Sequence, residues 1–600
     1  MLNTLNVALS GLAASKTNVE NVMNNIANEN TVGYKKRVVD IKEADQSDSR
    51  LTGRGAELLD VNRITNIYMY DNLMDEVSRD AELTELSMML ADVESLFYET
   101  EDSGFSADLD KFFQSIEDMR TNPYNEINRT NMINQGNILV DDLKSLYTEI
   151  EDREYITEQF LTDNVSAANA LLQDIGKINI EIQNAIVPSN DLLDKRDQLE
   201  YELSQYFDIK VDRADTYALY IGDIAAVRYN TNVHEIQIVE DNIAQKDVYE
   251  TTTGDNMLNI APLGAGDSVT YTLNKDMEVT VEIGETVDGQ VVTKDNIVQA
   301  LTYKINYSDM ASFVTAYNGA YSYDENGNQI LQEPTNQDHF LMIESITEGV
   351  SGQFDGKIII NDDANVDTSG DQVAYFVDKN EVRSVDAQDD IHLEVFDEEI
   401  TLTSGKLKPI VDNLQSDNVD NMYDQYKSML DNFANKLADV TESYIFLGER
   451  EYVYGNEASI VHPEDDKTNS IGLFEGSSVM TLQFNDVVVR NLSQEDLDYL
   501  ATIHWNEEMS FDDSGTTTSF SKYFQQIRVQ VSSDKENVDY RKETQTAVKE
   551  SLQLTYDKIV KVDKDEEMVN LIKFQAAYEA NAKMITVVDE MLQTILGLKS

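Results

Sequence analysis

No proline occurs in residues 1–122 or 464–600; all six lie between, at 123, 188, 262, 334, 409 and 463. Proline removes a backbone donor and clashes with the preceding turn, so both ends of this chain are free to form long helices. Their apolar residues have the spacing for it. Leu2, Leu5, Leu9, Leu12, Val19, Met23 and Ile26 advance in alternating steps of three and four, interrupted at Lys16. That is an a/d seam over about four heptads. Beside it runs a row of small residues, Thr4, Ala8, Gly11 and Ser15, through which a second helix can come close. A helix of this length is marginal alone in water, so the seam needs a partner.

The other end supplies one. "KDEEMVNLIKFQAAYEANAKMITVVDEMLQTILGL", 564–598, opens on Asp565, Glu566 and Glu567, which suit the positive end of a helix dipole. It carries two seams. One is Met568, Leu571, Gln575, Tyr578, Ala582, Ile585, Asp589, Leu592 and Leu596; the other is Phe574, Ala577, Asn581, Met584, Val588, Met591, Ile595 and Leu598. One N-terminal helix covers one seam. The second is then an assembly surface or packs on the chain's own core, and for a terminal helix we favour assembly. Between the first seam and the rest of the chain lies "NNIANENTVGYKK", 24–36, a helix end running into an Asn-rich turn. Asn28, Asn30 and Gly33 are residue types that cap helices and accept left-handed backbone, with Tyr34 placed to anchor the exit by packing.

A formal charge of −66 argues against nucleic acid and against anionic membrane surfaces as partners. It also directs self-association to apolar seams rather than charge. The absence of cysteine excludes disulfides and thiolate chemistry. No apolar run is long enough to span a membrane, and the N-terminus lacks a basic region followed by a continuous apolar stretch, so no membrane insertion and no cleaved secretory signal are expected. By composition alone the chain reads as cytoplasmic.

Residues 81–175 carry a helical stripe, with Leu83, Leu86, Leu90, Val93, Leu96 and Phe97 at its start. "TNPYN" is a turn with Pro123 at a helical first position, and 125–185 reads as long helix. From about 209 the pattern turns to short β-branched and aromatic runs between Gly, Asn and Asp, continuing to about 402 with one helix near 308–319. Helix returns over 407–447, a mixed stretch holding Trp505 covers 452–535, and helix resumes from 536. The expected fold is therefore multidomain α+β. Long N- and C-terminal helices form a coiled-coil-like stem, beside a helical-bundle domain and an inserted β-rich domain. The expected units are 1–50, an axial helix and turn; 51–208, the first part of the helical stem domain; 209–402, the β-rich insert; 403–555, the second part of the stem domain; and 556–600, the C-terminal axial helix.

Chemistry finds little footing. The histidines, at 234, 339, 392, 462 and 504, lack metal-ligand spacing, and no HExxH, GxSxG or phosphate-binding loop occurs. No catalytic residue, metal or cofactor is expected. Glu464, Asp465 and Asp466 read as a solvated acidic face. "SYDENGNQILQE", 322–333, spaces Ser322, Asp324, Asn326, Gly327 and Glu333 as a calcium loop does, but a β-turn at Asn326-Gly327 explains the same letters more simply.

"LSGLAASKTNVENVMNNIANENTVGYKK" and "FQAAYEANAKMITVVDEMLQTIL" resemble the shared ends of bacterial flagellar axial proteins, the rod, hook and hook-associated proteins. "GRGAELLDVNRITNIYMYDNLMDEV" at 53–77, "FSADLDKFFQSIEDMRTNPYNEINR" at 105–129, "NDLLDKRDQLEYELSQYFDIKV" at 190–211 and "DEEMVNLIKFQ" at 565–575 are similar to the hook-associated protein 1 (FlgK) family within that class. The resemblance implies a structural, non-enzymatic subunit at the hook–filament junction, needed for filament assembly and motility. It implies unfolded export through the flagellar type III system to an extracellular location, which overrides the compositional reading. It further implies self-assembly into a ring, contact with hook protein and with a second junction hook-associated protein, and a cytosolic export chaperone on the C-terminal helix. The assembly interface would comprise Leu2, Leu5, Leu9, Leu12, Val19, Met23, Ile26, Asn28, Asn30, Gly33 and Tyr34 at one end. At the other it would comprise Leu571, Phe574, Tyr578, Asn581, Ile585, Val588, Leu592 and Ile595. Two alternatives stand beside this reading: a hook or distal rod protein, and a stem carrying an adhesin or enzyme module in 209–402. Removing roughly 212–402 would separate the module reading from the rest.

Overall fold

The computed structural model describes residues 2–44, 54–100, 103–187, 189–214, 216–250, 263–274, 277–323, 329–332, 340–349, 352–354, 356–366, 372–377, 383–385, 390–416, 418–448, 451–454, 468–512 and 516–597. Its helices, in chain order, are α1 (Leu2–Ala27), α2 (Ile67–Leu96), α3 (Phe105–Thr121), α4 (Glu126–Asn184), α5 (Asn190–Leu203), α6 (Ile297–Asn306), α7 (Leu407–Asp412), α8 (Met422–Glu442), α9 (Gln494–Ile503), α10 (Phe520–Val560) and α11 (Lys564–Gly597). The long helices and small antiparallel sheets make a multidomain α+β chain.

Capping residues set many helix starts. The side chain of Asn66 accepts from Met69 N, that of Asn125 from Ile127 N, and that of Asn421 from both Tyr423 N and Asp424 N. Ser493 and Asp496 form a reciprocal capping box at α9. Asn125 places the start of α4 after Pro123, so Pro123 sits in the preceding turn rather than in the helix. At 1.5 Å per residue, α4 with its 59 residues extends about 90 Å. Its buried row, including Leu139, Leu143, Ile150, Leu172 and Ile175, packs against α3, α5, α7 and α8. Phe105 links three helices of this core, with its ring 4.5 Å from that of Phe524 and 5.3 Å from that of Phe433. α2 lies along α10.

Several boundaries differ from the sequence reading, for local reasons. "SYIFLG", rich in aromatic and β-branched residues, is a strand (Ser443–Gly448) rather than the end of a helix. α10 begins at Phe520 and ends at Val560, so the expected boundary at 556 falls inside it and the terminal helix starts at Lys564. The helix expected near 308–319 lies earlier, as α6, and is followed by a 3-10 turn and a strand from Val314. In the mixed stretch, Gln483–Phe484 is a short strand and Val488–Arg490 a 3-10 turn.

The β-rich stretch has two allegiances. Strands from Ile209 to Glu240, with Ile391–Val395, bury Leu219, Ile221, Val227, Ile236, Leu393 and Val395 in the same core as the helices. A separate core, with Tyr271, Val281, Leu301, Ile305, Leu341, Ile343 and Ile358, lies between Tyr249 and Ile360. There α6 packs against strands of a four-stranded and a five-stranded sheet. In that second unit Ser322 and Tyr323 pair with Ile330 and Gln329, so paired strands take up described residues of the 322–333 pattern itself. Residues 324–328 and 333, and the acidic run 464–466, lie outside the described residues.

The candidate assembly joint

The two chain ends meet. α1 and α11 pack antiparallel, with Asn25 against Glu567 at one end and Gly11 and Ser15 against Asn581 further along. A Cβ on Gly11 would lie 2.9 Å from Asn581 Oδ1, so the small row is the side through which the helices approach. The fully covered positions of α1 are Ala8, Ala14, Ser15, Asn18, Val22 and Asn25. Of the expected seam, Leu5, Leu12, Val19 and Ile26 are half-buried at its margin, while Leu9 and Met23 are exposed, Met23 at 56%. The side chain of Leu2 lies outside the described residues. The seam is thus rotated from the expected face, because small residues permit the closer approach. On α11 Val588 is buried, and the half-buried residues beside it draw on both expected seams: Leu571, Ile585 and Leu592 from one, Phe574 and Asn581 from the other. Tyr578 and Ile595 are exposed, and so are Ile572, Met584, Val587 and Met591.

α1 ends at Ala27 in consecutive turns, closed by Thr31 N to Asn28 O at 3.0 Å and Tyr34 N to Thr31 O at 3.2 Å. Asn28 is half-buried and donates to Asn24. Gly33 alone in the turn takes left-handed backbone, with φ 79°; Asn30 does not, which corrects the expectation for that residue. Tyr34 then turns back. Its hydroxyl donates to Asn25 Oδ1 at 2.9 Å, and the Arg37 guanidinium lies over its ring at 4.7 Å. The chain continues as β1 (Arg37–Glu43), which pairs antiparallel with β2 (Ala56–Arg63) in a ribbon along α1.

Asn25 is fully buried and satisfied on every side. Its amide donates to Arg37 O at 2.9 Å and to Glu567 Oε2 at 3.0 Å. Its oxygen accepts from Tyr34 and from Arg37 N at 3.1 Å. A buried amide with all partners made costs little and holds geometry tightly. Here it binds the last turn of α1, the exit turn, β1 and the first turn of α11. Lys36 reinforces the same point, bridging to Glu566 at 2.8 Å and Glu567 at 3.4 Å, while its backbone N–H meets Val560 O at 2.7 Å.

Below this lies an ion cluster on α5. Lys35 pairs with Asp197, Arg63 with Asp197 at 2.6 Å and Asp194 at 3.0 Å, and Arg37 with Asp191 and, at 3.6 Å, Asp194. Burial pushes the Asp197 carboxyl up, but Lys35 and Arg63 outweigh it and hold the group below its usual range. Burial lowers the Lys35 ammonium against the pull of Asp197. Asp194 is raised, its burial outweighing Arg63. The Tyr70 hydroxyl donates to Asp197 O, and its ring packs 5.7 Å from that of Tyr556. The joint therefore draws residues from four sequence stretches, 24–37, 56–70, 190–197 and 556–567. The chemistry available to it is positioning. Among the described residues no group of three or more His, Cys, Asp or Glu is placed to hold a metal.

Sequence reasoning passed over Asn25, Lys35, Lys36, Arg37, Arg63, Asp191, Asp194 and Asp197. The signal was present at motifs already singled out: "KKR" is a basic run, and "DLLDKRD" repeats Asp at steps of three, which puts Asp191, Asp194 and Asp197 on one side of a helix.

Three family models match in chain order. Flagella basal body rod protein matches 5–35, the flagellar hook-associated protein FlgK helical domain matches 90–266, and the flagellar basal body rod FlgEFG protein C-terminal matches 556–598. Flagellar hook-associated protein 1 of Salmonella typhimurium is 26% identical over 228 residues, 36% of this chain and 41% of that protein. Its namesake in Bacillus subtilis is 26% identical over 221 residues, 34% of this chain and 43% of that protein. The chain spans about two fifths of the length of the curated relatives it matches. The solved flagellar hook junction protein FlgK from Burkholderia pseudomallei covers 81% of this chain and 99% of its own, at 11% identity and a TM-score of 0.36.

Proposed function

We propose that this chain, which resembles FlgK and carries a FlgK helical domain between rod-type terminal segments, is a structural subunit of the bacterial flagellum at the junction of hook and filament. The observation that carries the reading is the order of those three matches, together with the joint that binds both terminal segments to the helical domain. The chain works by geometry. α1 and α11 form the inner, assembling part, and the exposed row Ile572, Met584, Val587, Met591 and Ile595 is surface left for neighbouring subunits. The ion cluster sets the angle at which the helical domain leaves that part. Its partners are further copies in a ring, hook protein on one side and a second junction hook-associated protein on the other. A cytosolic chaperone covers the C-terminal helix before type III export. Deleting the gene should leave hooks without filaments, non-motile cells and flagellin shed to the medium, all reversed by the full chain. Normal filaments in the deletion strain would refute the assignment.

A further inference from the structure

We propose that Asn25 fixes the register of the α1–α11 pair. The residues that α1 covers completely are small or polar, Val22 being the largest, so hydrophobic packing gives little to distinguish one register from the next. α11 presents the half-buried Leu571, Ile585 and Leu592, alike in size, at multiples of seven residues, which makes neighbouring registers more alike. One polar point breaks that equivalence: the buried Asn25 amide donates to Glu567 at 3.0 Å. Two heptads along each helix Asn581 lies against Gly11 and reaches Ser15 only at 3.5 Å, a contact too long to hold the register by itself. A slip of one heptad takes Glu567 away from Asn25 and leaves a buried amide and a buried carboxylate without each other, a penalty that apolar packing in the shifted register does not offset. A single polar residue in a helical seam selects register in this way at some expense of stability. This does not depend on the flagellar reading.

The test uses the full chain, which has no cysteine, so two introduced cysteines take spin labels without background. Glu20→Cys and Lys583→Cys are at exposed positions, one on each helix. The parent should give one narrow distance between the labels. With Asn25→Leu and Glu567→Leu added, a second population should appear, displaced by about 10 Å along the helix axis, the length of one heptad. Glu567→Gln, which keeps an acceptor for Asn25, should retain the single distance. One unchanged distance in the double leucine variant would overturn the proposal. So would loss of its terminal helicity by circular dichroism, which would make the pair a source of stability instead, and so would a split distance in Glu567→Gln.

Discussion

The Tyr34 hydroxyl donates to Asn25 Oδ1 at 2.9 Å, so the residue that leaves the exit turn is bonded to the last turn of the helix it has left. Tyr34→Phe removes that bond but keeps the ring under Arg37 and leaves Asn25 Oδ1 its bond from Arg37 N. The expected cost is about 1 kcal/mol. Amides of the exit turn should then exchange with solvent about fivefold faster. Asn25→Ala strips partners from Glu567, Tyr34 and Arg37 together, and its effect on exchange should be distinctly larger. Equal effects would mean that Tyr34 carries the joint.

Gly33 holds φ 79°, and a Cβ there would lie 3.1 Å from Gln198 Oε1, the end of a flexible side chain. The difficulty for a substitution is therefore backbone strain more than space. Gly33→Val, β-branched, should cost about 1–3 kcal/mol. The chain should stay soluble with unchanged helix content, while the turn becomes protease-sensitive and, on the proposed function, incorporation into flagella falls. Gly33→Asn, which accepts left-handed backbone, should recover part of the loss. Normal motility with normal junctions in the valine variant would remove the turn from assembly.

The helices of this fold were legible because period and breakers are local properties: the proline-free ends and the Gly33 turn read directly. What was not legible was spatial. The small row of Ala8, Gly11 and Ser15 was legible as a side of close approach, but not that it would displace Leu9 and Met23, which have the right spacing for a seam, from the covered face. Lys35 and Asp197 meet only after the ribbon returns along α1 and α5 is brought beneath it, and no local pattern encodes that. Strands 209–240 resemble the strands that follow in composition, and only the core they join separates them.

The cluster on α5 should be graded by burial. Asp197→Ala leaves Lys35 and Arg63 buried without their shared carboxylate, which should cost about 3–5 kcal/mol. Asp191, exposed at 77%, should cost at most about 1 kcal/mol when replaced by Ala. Urea unfolding followed by helix content orders the two variants. A mild effect of Asp197→Ala would mean that water reaches the cluster.

Two carboxyls in the helical domain are raised to about 6. Asp142 is pushed up by burial and by its hydrogen-bonding neighbour Asp108, and Asp431 by burial against the N–H of Val479. A carboxyl whose folded value exceeds its unfolded value binds a proton more tightly when folded. Its penalty is therefore greatest above the folded value and is relieved as pH falls toward the unfolded one. The melting temperature should thus rise as pH is lowered from about 6.5 toward 5. Asp197, held low by Lys35 and Arg63, acts in the opposite sense and loses stabilisation in stronger acid. Asp142→Asn and Asp431→Asn should raise the melting temperature at pH 7 and flatten the rise. A melting temperature that falls steadily from neutral pH in all three proteins would refute this account.

The second core can be excised at a defined place. Ile236–Glu240 pairs antiparallel with Ile391–Val395, and Asp241 N donates to Asp390 O at 2.9 Å, so the chain leaves and returns at adjacent points. Replacing 242–389 by Asn-Gly closes that pair as a hairpin, a two-residue connection that suits the strand twist. The residues that Ile236, Leu393 and Val395 contribute to the helical core stay in place. The main thermal transition should move by only a few degrees, and terminal pairing should be unchanged. The wider cut over 212–402 removes Leu219, Ile221, Val227 and Ile236 from the helical core as well, and losses of buried aliphatic side chains at about 2–5 kcal/mol each should unfold it. An assembly defect after that wider cut would therefore report a damaged core and not a function of the insert. The cut at 242–389 is the one that can assign a surface role to the second unit: filaments retained with a surface property lost would place that property in the insert, and lost filaments from a folded variant would place the insert in assembly.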